Sequence, residues 1–473
     1  MPDLQNATGT DRRWRVLTVV SVATFMASLD LFIVNIAFPD ISRAFEGTSM
    51  AAMSWVLNAY AIVFAALLVP AGRMADRIGR KRAFVGGIAV FVVGSALCGI
   101  ADSVGVLIGA RVIQAAGGAV LLPTSLALLL PEFAPAERPK AISIWAAVGA
   151  VAAAAGPPVG GLLVEASWRL VFLVNVPVGL AAIYFSLRVL RESRDPDQTR
   201  PDLPGTVIFA ASIGLLALGL VKAPAWGWGS PATLGALAAS ALGLGAFWMR
   251  CRTHPSPVVE PAMLRVRSFA LAGIASLLFS TAFGAMLLAG VLFMTGVWHY
   301  SVLKAGLSLA PGPAMAATFA TISGRLPLRI APGALAATGM GVFACGVGFW
   351  LWQIGAAPHY ASEMLPGQIL TGAGVGLALP TLAGAATASL PPARFATGSA
   401  VFTMSRQLGF VLGVSILVAV LGSVDGGGGG DPVSPFDAAW TFMVVVLLAG
   451  ATSALAIGPV SGRAPVVAAE PAT

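Results

Sequence analysis

The sequence is dominated by apolar stretches long enough to cross a lipid bilayer, repeated from one end of the chain to the other. A helix needs about 20 mostly apolar residues to span the hydrocarbon core. Segmented on that length, the sequence predicts fourteen spans. Six lie near 16–38, 51–71, 83–101, 104–130, 139–165 and 170–190. Two follow near 203–222 and 230–249, then six near 269–298, 303–325, 332–354, 362–388, 397–422 and 436–458. Composition points the same way: of 473 residues 57% are apolar and 10% charged, against about 25% charged in soluble proteins. That is too few charges to coat a water-soluble surface or to hold a chain disordered. The fold class expected is an all-α polytopic membrane protein.

Lys and Arg gather on the cytoplasmic side of membrane proteins, and their distribution gives the orientation. An even number of spans places both termini on one side. That side collects 22 of the 28 basic residues, including Arg12, Arg13, Arg15, Arg73, Arg77, Arg80, Lys81 and Arg82. Only Arg43, Arg169, Lys222 and Lys304 fall on the other, and Arg111 and Arg406 lie within spans. The expectation is a multi-pass protein of the cytoplasmic membrane with both ends inside. The first apolar run is too long for a signal-peptide core and reads as an uncleaved span.

Polar linkers at 191–202 and 250–268 suggest three parts. These are an N-terminal six-helix bundle (1–190), a linker carrying two additional helices (191–268), and a C-terminal six-helix bundle with a short tail (269–473). The halves echo each other. Gly72-Arg73-Met74-Ala75-Asp76-Arg77-Ile78 resembles Gly324-Arg325-Leu326-Pro327-Leu328-Arg329-Ile330, and Leu122-Pro123-Thr124 resembles Leu379-Pro380-Thr381. Parallel repeats of this kind occur in transporters.

Other classes are poorly served. The net charge of +8 is spread in short runs rather than over one nucleic-acid-binding face. The three cysteines show no CxxC or Cys/His spacing, so no metal site is expected. The spans hold one central acid, two arginines and no histidine, so no paired nucleophile and base suggests an enzyme.

Within the spans Asp30 stands out. A central Asp costs about 2.5–3.5 kcal/mol on insertion scales, so it calls for a wet cavity, a proton or a cation. Desolvation favours the uncharged form of a carboxyl group, which suits a proton carrier; tying helices together is the competing role. Arg111 cannot shed its charge and must be solvated or paired. The segment 149–161 sets Ala152, Gly156 and Gly160 at four-residue spacing, a close-packing face, and Pro157-Pro158 removes two backbone donors within it. The loop from Gly72 to Arg82 holds five bases beside Asp76, which can cap a helix start or pair with its basic neighbours. Phe32, Asn35, Asn58, Tyr60, Gln114, Arg406 and Gln407 are candidates for a substrate cavity, with core packing the competing role for Asn58 and Tyr60.

These segments resemble the major facilitator superfamily, specifically its fourteen-span drug:proton antiporter branch. Leu29-Asp30 through Pro39 resembles the branch's first-helix motif, Gly72–Arg82 the signature loop, and Arg111–Gly118 the fourth-helix motif. Gly149–Gly161 resembles the antiporter motif, and Trp168-Arg169, Asn175-Val176-Pro177 and Arg406-Gln407-Leu408-Gly409 also look typical of this branch. The resemblance implies proton coupling at Asp30 with assistance from Arg111. It implies gating by Gly72, Asp76, Arg77, Gly79 and Arg80, and antiport geometry at Gly149, Gly156, Pro157, Gly160 and Gly161. The function implied is proton-coupled export of hydrophobic or cationic drugs or antibiotics by alternating access. The partners are protons, the bilayer and a small molecule, without nucleic acid, metal or cofactor, in a chain functional as a monomer. Proton-coupled uptake, or export of a specific metabolite, is the alternative on the same fold. Two departures matter: no C-terminal span holds a central acid, Glu363 being nearest, and Leu328 replaces the acid in the second loop copy.

Overall fold

The computed structural model describes residues 3–134, 136–195, 199–324, 331–388, 390–391, 394–422 and 431–458. All of its regular structure is helical. Eighteen α-helices follow in order: α1 (Asp3–Ala44), α2 (Met50–Met53), α3 (Trp55–Ile78), α4 (Arg80–Gly99), α5 (Val104–Leu129), α6 (Arg138–Ala166), α7 (Leu170–Leu173), α8 (Asn175–Val189) and α9 (Leu203–Trp226). Then come α10 (Pro231–Thr253), α11 (Pro261–Leu264), α12 (Arg267–Gly296), α13 (Val302–Leu309), α14 (Pro311–Ser323), α15 (Pro332–Gln353), α16 (Leu365–Ala388), α17 (Phe395–Gly422) and α18 (Ser434–Leu455).

Among the described residues thirteen helical segments are long and apolar enough to cross a membrane, where the sequence predicts fourteen. The difference is the tenth span, expected at 303–325, which is divided into α13 and α14. Pro311 and Pro313 follow Ala310, and each removes a backbone donor from the helical ladder. Ala310 itself keeps helical dihedrals, φ −59° and ψ −33°, and its N–H turns to the carbonyl of Leu307 at 3.2 Å. The second copy of the loop motif at 325–330 and the glycine run 426–430 lie outside the described residues. The two extra helices run longer than predicted: α10 continues to Thr253 and takes up the start of the 250–268 linker.

The helices before α9 and those after α11 follow one pattern of pairing. In the first set α1 packs on α6, α3 on α5, α4 on α5 and α4 on α8. In the second, α12 packs on α17, α14 on α16, α15 on α16 and α15 on α18. Small residues make these approaches possible. A Cβ added to Gly117 would fall 2.8 Å from Phe91 Cα, and one on Gly374 2.7 Å from Phe343 Cβ. Between the sets, α13 meets α6, and α3 meets α17, with α9 packed on both α3 and α17. Arg12 pairs with Glu132 at 2.8 Å and Arg13 with Glu137 at 2.6 Å, which fixes the start of α1 beside the α5–α6 turn.

Candidate functional site

Asp30 and Arg111, eighty-one positions apart, meet inside the first set of helices with 0% and 1% of their side chains exposed. Arg111 Nη1 donates to Asp30 Oδ2 at 2.5 Å and to Gln114 Oε1 at 2.6 Å. Its Nε donates to the carbonyl of Val56 at 3.1 Å. The other carboxylate oxygen of Asp30 accepts from Gln114 Nε2 at 2.7 Å and from Asn175 Nδ2 at 3.2 Å. Ser95 Oγ receives both amides at 3.1 Å and donates to the carbonyl of Phe172 at 2.8 Å. Five polar side chains from α1, α4, α5 and α8 thus form one closed network, and three donors solvate the carboxylate. Deleting one partner of a buried ion pair costs about 3–5 kcal/mol, because the other charge is stranded.

The local sequence explains the convergence. Arg111 and Gln114 are three apart on α5 and share one face, and that face turns to α1. Tyr60, fully buried on α3, lies under the guanidinium at 3.9 Å from Arg111 Cζ to the ring centre. A desolvated cation–π contact of this kind contributes about 2 kcal/mol. The Tyr60 hydroxyl has no hydrogen-bond partner among the described residues. Gln114 and Tyr60, candidates for cavity lining, belong to or border this network. Ser95 and Asn175 join the site beyond the residues expected of it from the sequence; each is a polar side chain in an apolar segment, and that is the signal that finds them.

The remaining cavity candidates scatter. Asn35 returns its amide to the carbonyl of Leu31 on its own helix at 2.8 Å. Asn58 Nδ2 donates to Ser415 Oγ at 3.1 Å, joining α3 to α17. Phe32 packs against Gly156. Arg406, midway along α17, is partly exposed and has no acidic partner among the described residues, and its Nε has no hydrogen bond. Gln407 Nε2 and both amide atoms of Gln368 are likewise buried without partners among the described residues. Each unmatched buried group costs about 1–3 kcal/mol, and both sets of helices carry them, with Ser21, Asn58, Tyr60 and Ser186 in the first and Ser276, Gln368, Arg406 and Gln407 in the second. Glu363 sits before α16, bonded to the N–H of Gly355 and to His359 at 3.0 Å each.

The small-residue face of α6 is a seam between two neighbours. A Cβ on Gly156 would lie 2.6 Å from Phe32 Cβ, and one on Gly160 would overlap Ile36 and Ile33, all on α1. On the other side a Cβ on Gly161 would fall 2.9 Å from Leu303 Cα, and one on Gly306 would strike the carbonyl of Pro157. Gly149 is less confined, with Ser28 Oγ at 3.7 Å. The C-terminal half of α6 is therefore interlocked with α1 and α13. The N-terminal half is open: Ser143, Ala146, Ala147, Ala150 and Val151 are exposed, as are Ala314, Ala317, Thr318 and Thr321 on α14.

Where α3 ends and α4 begins, the carboxylate of Asp76 accepts from Arg80 Nε at 2.7 Å. The expected helix cap is supplied by another residue. Glu192, beyond α8, accepts from the N–H groups of Lys81 and Arg82 at 3.0 and 3.1 Å, placing negative charge at the start of α4 as the helix dipole favours. Gly79 stands at φ +115°, and a Cβ there would meet the Glu192 carboxylate. Gly72 packs against Pro123 of α5. Arg77 has no acidic partner among the described residues, whereas Arg73 donates to Ser256 Oγ at 2.7 Å and to the carbonyl of Pro257 at 2.8 Å.

Comparison with known proteins agrees with this architecture. The chain is 36% identical over 331 residues to the tetracenomycin C resistance and export protein of Streptomyces glaucescens, covering 70% of this chain and 61% of that protein. It is 33% identical over 448 residues to the cephamycin export protein CmcT of Amycolatopsis lactamdurans, covering 92% and 90%. Among solved structures, a bacterial homologue of the human lysosomal transporter Spinster, captured inward-facing and unoccupied, superposes with a TM-score of 0.64 at 17% identity, over 94% of this chain and 97% of that one; at that identity the likeness is one of fold. Residues 20–414, from the first span through most of α17, match the family model of the Major Facilitator Superfamily. With the repeated helix pairing, that match places the chain in the Major Facilitator Superfamily.

Proposed function

We propose that this protein is a proton-coupled antiporter of the cytoplasmic membrane that exports small, largely apolar drugs or antibiotics by alternating access. The observation that carries the reading is the Asp30–Arg111 pair, a single carboxylate sealed among donors at the depth where a proton carrier would sit. The relatives named for antibiotic export support the class of cargo.

In this reading α13 and α14 together make the fourteenth crossing, and the helices before α9 and after α11 act as two six-helix bundles that rock against each other. Both termini are cytoplasmic, the seam between α6 and α13 is closed to the outside, and the exposed halves of α6 and α14 face the cytoplasm. Asp30 is ionised and held by Arg111 in this state. A proton taken from outside neutralises the carboxyl group, releases Arg111 and unties α1 from α5; the proton leaves toward the cytoplasm when the pair re-forms. The proton gradient is the energy source, and no cofactor or enzymatic step is required.

The test is pH-gradient-driven drug transport into inverted membrane vesicles with Asp30→Asn. Transport should vanish while the protein remains folded. Full gradient-driven transport in that variant would remove Asp30 from the coupling role.

A further inference from the structure

We infer that Arg406 is an anion subsite between the two halves of the molecule, and that the preferred cargo of the exporter carries a negative charge such as a carboxylate or phenolate. The inference rests on the exporter reading above and specifies its substrate class.

The argument is one of charge and orientation. On α17, Gly409 and Gly413 turn to α12, where an added Cβ would overlap the backbone of Leu277 and Thr281. Ser415 turns to α3 through Asn58, and α9 packs on α17 as well. The face between the α12 and α3 contacts carries Thr403, Arg406 and Phe410, at spacings of three and four residues that share one side of a helix. All three are partly exposed, while Phe402, Gln407, Gly409 and Val411 beside them are buried. Arg406 lies about 16 Å from the nearer end of α17 at 1.5 Å per residue, too deep to reach bulk water as a helix-end anchor does. This partly exposed face therefore looks into the gap between α12 and α3, which belong to different halves.

The charges of the interior do not balance there. Asp30 is the one carboxylate set deep within a long helix among the described residues, and Arg111 already neutralises it. Arg406 has no carboxylate within reach among the described residues, and its Nε is without a partner. A guanidinium cannot lose its proton, and an unpaired charge at membrane depth marks a site for a ligand or ion. The fork of donors suits a planar anion. Phe410 on the same face, packed on Phe283 at 5.6 Å between ring centres, offers an apolar platform for the body of such a molecule. A cationic cargo would meet only repulsion from Arg406. Exchange of one monoanion outward for one proton inward moves two charge equivalents in the same direction, so an inside-negative potential would drive it in addition to the pH gradient.

Two flat dyes of opposite charge test this, the monoanion resorufin and the monocation cresyl violet, with purified full-length protein in nanodiscs of zwitterionic lipid. Fluorescence polarisation should show the wild type binding resorufin about tenfold or more tighter than cresyl violet. Arg406→Gln should weaken resorufin binding about ten- to a hundredfold, as expected for loss of one charge-assisted hydrogen bond, and Arg406→Lys should retain most of it. Cresyl violet binding, unchanged or stronger in Arg406→Gln, shows that variant to be folded. Equal or reversed dye preference in the wild type, needing no variant, overturns the inference. So does resorufin binding unaffected by Arg406→Gln, or displaced by millimolar phosphate as readily as by more dye. Vesicle transport separates the two levels. Arg406-dependent resorufin binding without gradient-driven flux sinks the exporter reading and leaves the anion subsite standing, whereas flux of cresyl violet alone does the reverse.

Discussion

Gly156 of α6 stands directly against Phe32 of α1, so close that a methyl group at its Cα would fall 2.6 Å from the Phe32 Cβ. The same holds for Gly160 against Ile36 and Ile33, but Gly149, one motif position earlier, has only Ser28 Oγ at 3.7 Å. The glycines of this segment are therefore not equivalent. Gly160→Ala should destabilise the protein by about 1–3 kcal/mol, the usual cost of forcing a side chain into a packed interior, and Gly149→Ala should be within about 0.5 kcal/mol of the parent. Unfolding curves in detergent, followed by reaction of the buried thiols of Cys98 and Cys251 with a fluorogenic maleimide, measure both. Equal losses at the two positions would show that the seam between α1 and α6 does not set the requirement for glycine.

A second asymmetry concerns the other side of α6. Gly306 on α13 lies under the carbonyl of Pro157, and Gly161 under Leu303, so closure of this end depends on two glycines facing each other across the halves. Gly306→Leu should hold this end apart and abolish transport without preventing insertion. In a Leu303→Cys background, a membrane-impermeant maleimide added outside should label the parent slowly and the Gly306→Leu variant at least several-fold faster. Unchanged labelling would mean that the contact between α6 and α13 is not the external seal.

How far the sequence reaches can be judged from these elements. Asp30 and Arg111 were legible because charge is costly in hydrocarbon, and a sequence shows cost directly. Their meeting was legible only as a possibility, since the placing of α5 is set by small residues such as Gly94 and Gly117 at its contact with α4, whose partners no local pattern reveals. The break in the tenth span was readable in Pro311 and Pro313 but was masked by hydropathy, which counts apolar residues and ignores missing donors. The cap on α4 was out of reach: Glu192 lies more than a hundred positions from Lys81, and Asp76 was the acid in view.

That cap yields a local prediction. Gly79 has φ +115°, a backbone region that costs an L-residue about 1–2 kcal/mol, and an added Cβ would also displace the Glu192 carboxylate. Gly79→Ala should therefore lower stability by about 1–2 kcal/mol. Glu192→Gln, which keeps the shape but loses the charge at the helix start, should cost about 0.3–1 kcal/mol. Asp76→Asn breaks a part-exposed pair with Arg80 and should cost no more than about 1 kcal/mol. Thermal unfolding of the three variants orders them. If Asp76→Asn proves the most damaging to stability, the loop is held by Asp76 rather than by the distant glutamate.

The central pair permits a sharper experiment than loss of transport, because many substitutions abolish transport for trivial reasons. Arg111→Gln strands the Asp30 carboxylate among Gln114 and Asn175 and should cost about 3–5 kcal/mol if Asp30 stays ionised. Removing both charges with Asp30→Asn and Arg111→Gln together leaves neutral amides that can still bond to Ser95 and Gln114, and buried pairs exchanged for matched neutral groups often lose little. The double variant should thus be more stable than Arg111→Gln alone, by at least about 1 kcal/mol of coupling, while transporting no better. Both parts matter: recovered stability shows that the two charges hold each other in place, and unrecovered transport shows that the carboxyl group does more than join helices. A double variant as unstable as Arg111→Gln would mean that Arg111 is anchored chiefly by the carbonyl of Val56 and the ring of Tyr60, with Asp30 a bystander.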